Sequence, residues 1–97
     1  MPVKIAILGS TGSIGTQALD VISKYPEEFK VAMLTAGDNV DLLIRQSRQF
    51  VPDSVVIGNE KHYKKLKENL RETGIKVYAG DNDIEQITAG SEADLVL

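Results

Sequence analysis

The sequence contains no cysteine and no tryptophan. Without cysteine the chain can form no disulfide bond and can bind no metal through thiolates, which fits a reducing cytoplasm. Aromatic residues of any kind are few, with three tyrosines and two phenylalanines among 97 residues. Three of them, Tyr25, Phe29 and Phe50, stand at the ends of predicted elements, where they are expected to pack rather than to form a surface on which nucleic-acid bases could stack.

The sequence also lacks a strong charge of one sign and a long apolar run. Eleven lysine and arginine residues against 14 aspartate and glutamate residues give a net charge of −3 at pH 7. This charge provides no general attraction to nucleic acid or to an anionic membrane surface, and no apolar segment has the length of a membrane span. Met1 and Pro2 lead directly into a strand-like run, without the segments of a secretion signal. We therefore expect a cytoplasmic protein with neither nucleic acid nor membrane as a partner.

Strand-like and helix-like patterns alternate along the whole chain. Apolar runs predict five strands, at residues 3–8, 30–36, 54–57, 76–79 and 93–97. Helical spacing predicts the intervening helices, from Ile14 to Pro26, from Val40 to Val51 with Asn39 as N-cap, and over residues 60–73 and 81–89. This alternation predicts one domain of the α/β class, a doubly wound, Rossmann-like parallel sheet of about five strands in the order 3-2-1-4-5 with helices on both faces.

A glycine-rich turn follows the first predicted strand, with the spacing G-x-x-G-x-x-G. Gly9 allows a tight turn, Gly12 allows close approach of backbone to a pyrophosphate, and Gly15 allows the helix to pack closely on the strand. The N–H groups of residues 12–14 and the helix dipole predict an anion site. Hydroxyl groups are offered by Ser10, Thr11 and Ser13. The turn lacks the lysine of a nucleoside triphosphatase loop, so it favours a dinucleotide, with a purely structural turn as the alternative.

The turn after the second strand bears on cofactor choice. An acidic residue there favours the ribose 2′-hydroxyl of NAD, and a basic one favours the 2′-phosphate of NADP. Asp38 would repel a 2′-phosphate, but it could equally cap the second helix beside Asn39. From these residues alone the choice between NAD and NADP stays open.

The remaining polar clusters predict no catalytic or metal-binding residue. His62 is the only histidine and has no ligand-type neighbours at helical spacing. The lysine-rich third helix is interspersed with glutamates, which is typical of a solvated helix face. A further group of carboxylates is expected to be solvated rather than to bind a metal, with Asp81 as a helix cap. This group comprises Asp81, Asp83, Glu85, Glu92 and Asp94.

The run LGSTGSIGTQALDVI, from Leu8 to Ile22, resembles the opening signature of the 1-deoxy-D-xylulose 5-phosphate reductoisomerase family. Further matches in register are Pro26-Glu27-Glu28-Phe29, Ala36-Gly37, Asn39 and Phe50-Val51-Pro52. The resemblance covers the whole chain. It argues against the other reductases with a glycine-rich first turn, the aspartate-semialdehyde dehydrogenase and dihydrodipicolinate reductase types. A non-catalytic nucleotide-binding module remains a further alternative.

The resemblance implies that residues 1–97 are the N-terminal NADPH-binding domain of an enzyme of non-mevalonate isoprenoid biosynthesis. That enzyme rearranges and reduces 1-deoxy-D-xylulose 5-phosphate to 2-C-methyl-D-erythritol 4-phosphate. The cofactor contacts carried over are Thr11, Gly12, Ser13, Ile14, Gly37, Asp38 and Asn39. The family commonly has lysine or arginine where this sequence has Asp38, although NADPH is still the cofactor that the resemblance favours.

The resemblance further implies a divalent metal (Mg²⁺, Mn²⁺ or Co²⁺), a phosphorylated sugar substrate and a homodimer for the full-length enzyme. The resemblance also places the family's catalytic and metal-binding residues beyond Leu97. Separately, a chain that ends on a buried-type strand without a polar tail is expected to be a truncated part of a longer polypeptide. The fragment alone is therefore expected to be inactive.

Overall fold

The structure, a computed structural model, describes residues 2–80 and 93–97. Its strands are β1 (Val3–Ile7), β2 (Phe29–Ala36), β3 (Ser54–Ile57), β4 (Lys76–Ala79) and β5 (Leu95–Val96). Its helices are α1 (Ser13–Ser23), α2 (Val40–Phe50) and α3 (Tyr63–Asn69), with a 3₁₀ turn at Glu60–His62 before α3. The five strands form one parallel sheet in the order β4-β3-β2-β1-β5. The predicted parallel α/β sheet of five strands is therefore confirmed.

The predicted strand order 3-2-1-4-5 is wrong in the place of the fourth strand. β4 pairs with β3, and Ser54 lies opposite Lys76. β5 takes the position beside β1, where Ile5 lies opposite Leu95. The connections through α1, α2 and α3 are short, and a right-handed crossover with a short connection places its second strand beside its first. The chain therefore crosses to the other side of β1 with its fifth strand and not, as predicted, with its fourth.

The three helices pack on one face of the sheet. Each contributes apolar side chains to the main core, including Leu19 from α1, Leu43 from α2 and Leu66 from α3. This is expected because right-handed crossovers that step in one direction place their helices on the same face. On the opposite face a smaller buried cluster contains Ala6, Met33 and Val56. The prediction of helices on both faces also needs the predicted helix over residues 81–89, which lies outside the described residues.

The ends of α3 differ most from the predicted helix over residues 60–73. The first residues of the predicted helix form the 3₁₀ turn Glu60–His62 before α3, and there the Asn59 side chain accepts a hydrogen bond from the Lys61 N–H at 3.0 Å. The last turn of α3 ends at Asn69, after which Thr73 donates its hydroxyl proton to the Leu70 carbonyl at 2.6 Å. Side-chain hydrogen bonds such as those of Asn59 and Thr73 shorten a helix that apolar spacing alone would extend.

The fifth strand is also shorter than predicted, with two residues rather than five.

Candidate functional site

The turn between β1 and α1 depends on two of its glycines. Gly9 has φ of +72°, a left-handed conformation that glycine adopts without a Cβ clash. Gly15 packs directly against the turn, and a Cβ there would lie 2.7 Å from Cα of Ser10 and inside van der Waals contact with the Gly9 carbonyl oxygen. A side chain at residue 15 would therefore push α1 away from β1. The predicted roles of both glycines are confirmed.

Residues of β2 and α2 hold the turn in place. The N–H of Gly9 donates to Oγ1 of Thr35 at 2.9 Å, and the N–H of Ser10 donates to the Thr35 carbonyl at 2.8 Å. From α2, Gln46 donates its side-chain N–H to the Ser10 carbonyl at 2.8 Å and accepts the Ser10 hydroxyl proton at 2.7 Å. Ser10 and Gln46 are both buried. These hydrogen bonds are shielded from water and fix the path of the turn.

Two parts of the predicted anion site require correction. The Ser10 hydroxyl is buried and bound to Gln46, so it cannot contact a ligand at the surface. The Gly12 N–H donates to the Gly9 carbonyl at 3.1 Å, so Ser13 carries the first N–H that points out of the helix. Of the N–H groups predicted as donors at residues 12–14, only those of Ser13 and Ile14 are therefore available to an anion. Gly15 follows them in α1.

The amino end of α1 nevertheless provides donors to an anion. Gly12 is its N-cap residue and supplies no side-chain cap. Gly12, Ser13 and Ile14 are exposed, and Thr11 is half-buried. The first N–H groups of an α-helix have no intrahelical acceptor, and the positive end of the helix dipole lies at the same place. The exposed end of α1 is therefore a position at which a phosphate group can bind.

The second predicted group follows β2. Gly37, Asp38 and Asn39 are all exposed. Asn39 accepts a hydrogen bond from the Leu42 N–H at 3.2 Å, so the predicted N-cap of α2 is confirmed. Asp38 instead accepts a hydrogen bond from Nδ2 of Asn59, in the turn after β3, at 2.8 Å. The alternative in which the Asp38 side chain caps α2 is therefore wrong.

The parallel sheet brings both groups to one edge. Residues 11–14 follow β1, residues 37–39 follow β2, and these two strands are neighbours. β1 is also the strand from which the chain extends to either side, with β2 on one flank and β5 on the other. In open α/β sheets the ligand crevice lies outside the carboxyl ends of the strands at such a point.

Sequence reasoning missed three side chains that support this edge, those of Thr35, Gln46 and Asn59. Gln46 left a signal, because it is a polar residue on the buried stripe of α2. Asn59 also left one, since Gly58-Asn59 follows β3 much as Gly37-Asp38 follows β2. Thr35 left none, as threonine is an ordinary strand residue.

The charged residues next to the second turn are paired with one another. Asp41, in the first turn of α2, binds Nζ of Lys65 on α3 at 2.7 Å. The hydrogen bond from Lys65 and its positive charge hold the pKa of Asp41 below the usual value. Both side chains are largely exposed, so this ion pair contributes little to stability.

Residues 2–80 and 93–97 contain neither a cluster of metal-binding side chains nor a membrane-spanning helix. No group of three histidine, cysteine, aspartate or glutamate side chains in these ranges could hold a metal ion. Of the carboxylates expected to be solvated, only Asp94 lies in these ranges, and it is exposed. None of the helices in these ranges has the length and apolar character needed to cross a bilayer.

Known proteins resemble the chain over its full length. The family model of 1-deoxy-D-xylulose 5-phosphate reductoisomerase matches residues 5–97. The reductoisomerase of Phocaeicola vulgatus is 53% identical over 97 residues, which are 100% of this chain and 25% of that protein. The reductoisomerase of Chloroherpeton thalassium is 44% identical over 94 residues, 97% of this chain and 24% of that protein. The chain thus spans about a quarter of the length of these relatives.

Solved structures agree with the sequence comparison. The Zymomonas mobilis enzyme in complex with NADPH superposes with a TM-score of 0.91 at 30% identity, over 98% of this chain and 25% of that one. A reductoisomerase in complex with NADPH, fosmidomycin and magnesium gives a TM-score of 0.89 at 27% identity, over 97% of this chain and 23% of that one.

Proposed function

The chain belongs to the 1-deoxy-D-xylulose 5-phosphate reductoisomerase family, and from this membership we propose that residues 1–97 form an N-terminal dinucleotide-binding domain that binds NADPH. The exposed amino end of α1 carries this proposal, because it presents the N–H groups of Ser13 and Ile14 directly after a turn held by Gln46. The NADPH in the complex of the Zymomonas mobilis enzyme supports the choice of cofactor.

The pyrophosphate of NADPH would bind at residues 11–14. Gly12 has no side chain to obstruct a phosphate, and the dipole of α1 favours the negative charge. Thr11 and Ser13 add hydroxyl groups beside the N–H donors. Ile14 is 84% exposed, which is unusual for a branched apolar side chain in a helix and fits a residue that packs against a bound cofactor.

The adenosine ribose would bind at the turn after β2. Gly37, Asp38 and Asn39 are exposed there, and β2 adjoins β1 along the sheet edge that carries the pyrophosphate residues. In dinucleotide-binding sheets the turn after the second strand is the part that contacts the ribose. The seven residues named from the sequence would therefore form one continuous binding strip.

For the whole protein we propose the family's reaction, the rearrangement and reduction of 1-deoxy-D-xylulose 5-phosphate to 2-C-methyl-D-erythritol 4-phosphate. Bound NADPH supplies the hydride of the reduction. A divalent metal, the sugar phosphate and the catalytic residues would bind or lie in the other three quarters of the family's length, and magnesium in a related complex supports the metal. This chain would then be inactive alone, and the whole enzyme a cytoplasmic homodimer.

An amide-resolved NMR titration of the chain with NADPH tests the cofactor proposal. Binding at the proposed strip is expected to shift the amide signals of residues 11–15 and 37–39 and to leave those of α3 unchanged. AMP serves as a control ligand, because it has a ribose but no pyrophosphate and should perturb residues 37–39 more than residues 11–15. The proposal would be rejected if saturating NADPH left both groups of signals in place.

A further inference from the structure

We propose that Asp38, held in place by Asn59, contacts the 2′ position of the adenosine ribose. Its negative charge reduces the factor by which this chain binds NADPH more tightly than NADH. The inference rests on the proposed dinucleotide site and adds a specificity-determining residue, Asp38, and a positioning residue, Asn59. It starts from one contact across neighbouring strand ends, the 2.8 Å hydrogen bond from Nδ2 of Asn59 to Oδ1 of Asp38.

Hydrogen bonds hold both the backbone and the side chain of Asn59. Its backbone N–H donates to the Gly37 carbonyl at 2.8 Å, and its Oδ1 accepts the Lys61 N–H at 3.0 Å. Because Oδ1 already accepts from a backbone donor, the orientation of the amide is determined, and Nδ2 must face Asp38. The Asp38 carboxylate is therefore held by a neutral donor that comes from the next strand.

This arrangement occupies one oxygen of Asp38 and leaves the other for a ligand. Within the described part of the chain, Oδ2 of Asp38 receives no hydrogen bond, and the residue is exposed. A free carboxylate oxygen at the end of the second strand is the acceptor that binds a ribose 2′-hydroxyl in NAD-dependent sheets. NADH supplies that hydroxyl, whereas NADPH places a phosphate at the same position.

Within the described ranges, no ion pair neutralises the negative charge of Asp38. Lys65, on the neighbouring helix, is already bound to Asp41 at 2.7 Å. A 2′-phosphate would therefore meet the Asp38 charge without a bound cation between them, and like charges that face each other at a binding site lower affinity.

Dissociation constants of NADPH and NADH for the 97-residue chain and its variants test the inference. Asp38→Asn keeps the shape of the side chain and removes its charge, so the ratio of the NADH to the NADPH dissociation constant is expected to rise about tenfold, mainly through tighter NADPH binding. Asn59→Ala keeps the charge and removes the donor that orients it, so NADH binding is expected to weaken about threefold with little change for NADPH.

Asn69→Ala is the matched control. Asn69 is an exposed asparagine at the end of α3 whose side chain donates to the Lys65 carbonyl at 2.8 Å, and it lies at the end of α3 that leads to β4. Its loss should leave the cofactor ratio unchanged. If the Asn59 substitution only disturbed folding, it would weaken the binding of both cofactors equally. The ratio of the two dissociation constants therefore separates a positioning role from an effect on folding.

The outcomes also separate this inference from the proposed function. An unchanged ratio in Asp38→Asn would overturn the specificity role of Asp38 while dinucleotide binding stood. A shift in Asp38→Asn with equal losses for both cofactors in Asn59→Ala would overturn the positioning role of Asn59. A wild-type chain that bound neither NADPH nor NADH would overturn both the inference and the proposed function.

Discussion

Gln46 and Ser10 exchange two hydrogen bonds in the protein interior, at 2.7 and 2.8 Å. Gln46 lies in the middle of α2, and α2 begins directly after Gly37, Asp38 and Asn39. Ser10 lies in the turn that leads to α1. Through α2, the pair therefore connects the two parts of the proposed cofactor strip, residues 11–14 and residues 37–39.

Replacement of Gln46 by methionine should destabilise the chain and loosen the glycine-rich turn. Methionine has a similar length but leaves the buried hydroxyl and carbonyl of Ser10 without partners, which costs about 2–3 kcal/mol of unfolding free energy. Urea denaturation measures this loss. Gln49→Met is the control, since Gln49 is an exposed glutamine on the same helix and its replacement should change stability by less than about 0.5 kcal/mol. Equal losses in the two variants would contradict the role of the Gln46–Ser10 pair.

Gly15→Ala should lower the stability of the chain, whereas Gly12→Ala should leave its stability unchanged and weaken NADPH binding. At residue 15 the new Cβ meets backbone atoms of Gly9 and Ser10 that cannot move aside, so we expect a loss of about 1–3 kcal/mol. At residue 12 the nearest atom is the Gly9 carbonyl oxygen at 3.4 Å, an ordinary contact, and φ is −78°. Gly12→Ala should therefore fold normally.

Gly12→Ala should instead weaken NADPH binding, because its Cβ would lie where the pyrophosphate approaches the backbone. Thermal unfolding and NADPH titration of both variants measure the two effects. A stable Gly15→Ala variant would show that α1 can move away from β1. A Gly12→Ala variant with unchanged NADPH affinity would place the pyrophosphate elsewhere.

The features that the sequence predicts correctly depend on local chemistry. The left-handed turn at Gly9 and the cap at Asn39 each follow from one residue and its immediate neighbours. The place of β4 does not, because the four residues KVYA favour a strand without indicating which strand lies beside it. The Ser10–Gln46 and Asp38–Asn59 contacts join residues 36 and 21 positions apart. They are tertiary contacts, and no short-range pattern in the sequence specifies them.

Val51→Asn should stabilise the chain. Val51 ends α2 in a left-handed conformation, with φ of 46° and ψ of 62°, and the residue is 51% exposed. A branched side chain in that conformation costs about 1–2 kcal/mol, whereas asparagine tolerates it. After the loss of some apolar contact we expect a net gain of about 0.5–1 kcal/mol in unfolding free energy, measured by urea denaturation.

Val21→Asn is the control for this gain. Val21 is a valine of similar exposure, 53%, within α1, and its backbone is helical. Valine and asparagine have similar helix propensities, so the substitution should produce no gain there. A gain at both positions would indicate a general benefit of a polar surface rather than relief of strain at Val51.

Ser13→Pro tests the N–H donor at the start of α1 most directly. Residue 13 is the first helical position, where proline is well tolerated because its missing N–H has no intrahelical acceptor. Gly12 is extended, with ψ of 174°, a conformation that suits the residue before a proline. The variant should therefore keep its stability and lose one charge-assisted hydrogen bond to the cofactor, which weakens NADPH binding about tenfold.

Ser13→Ala separates the backbone donor from the side chain, because it removes the hydroxyl and retains the N–H. If the backbone N–H holds the pyrophosphate, Ser13→Ala should bind NADPH within about threefold of the wild type while Ser13→Pro binds about ten times more weakly. Equal losses in both variants would instead assign the contact to the hydroxyl. Full affinity in Ser13→Pro would show that the Ser13 N–H does not bind the pyrophosphate, and would leave the Ile14 N–H as the donor at the amino end of α1.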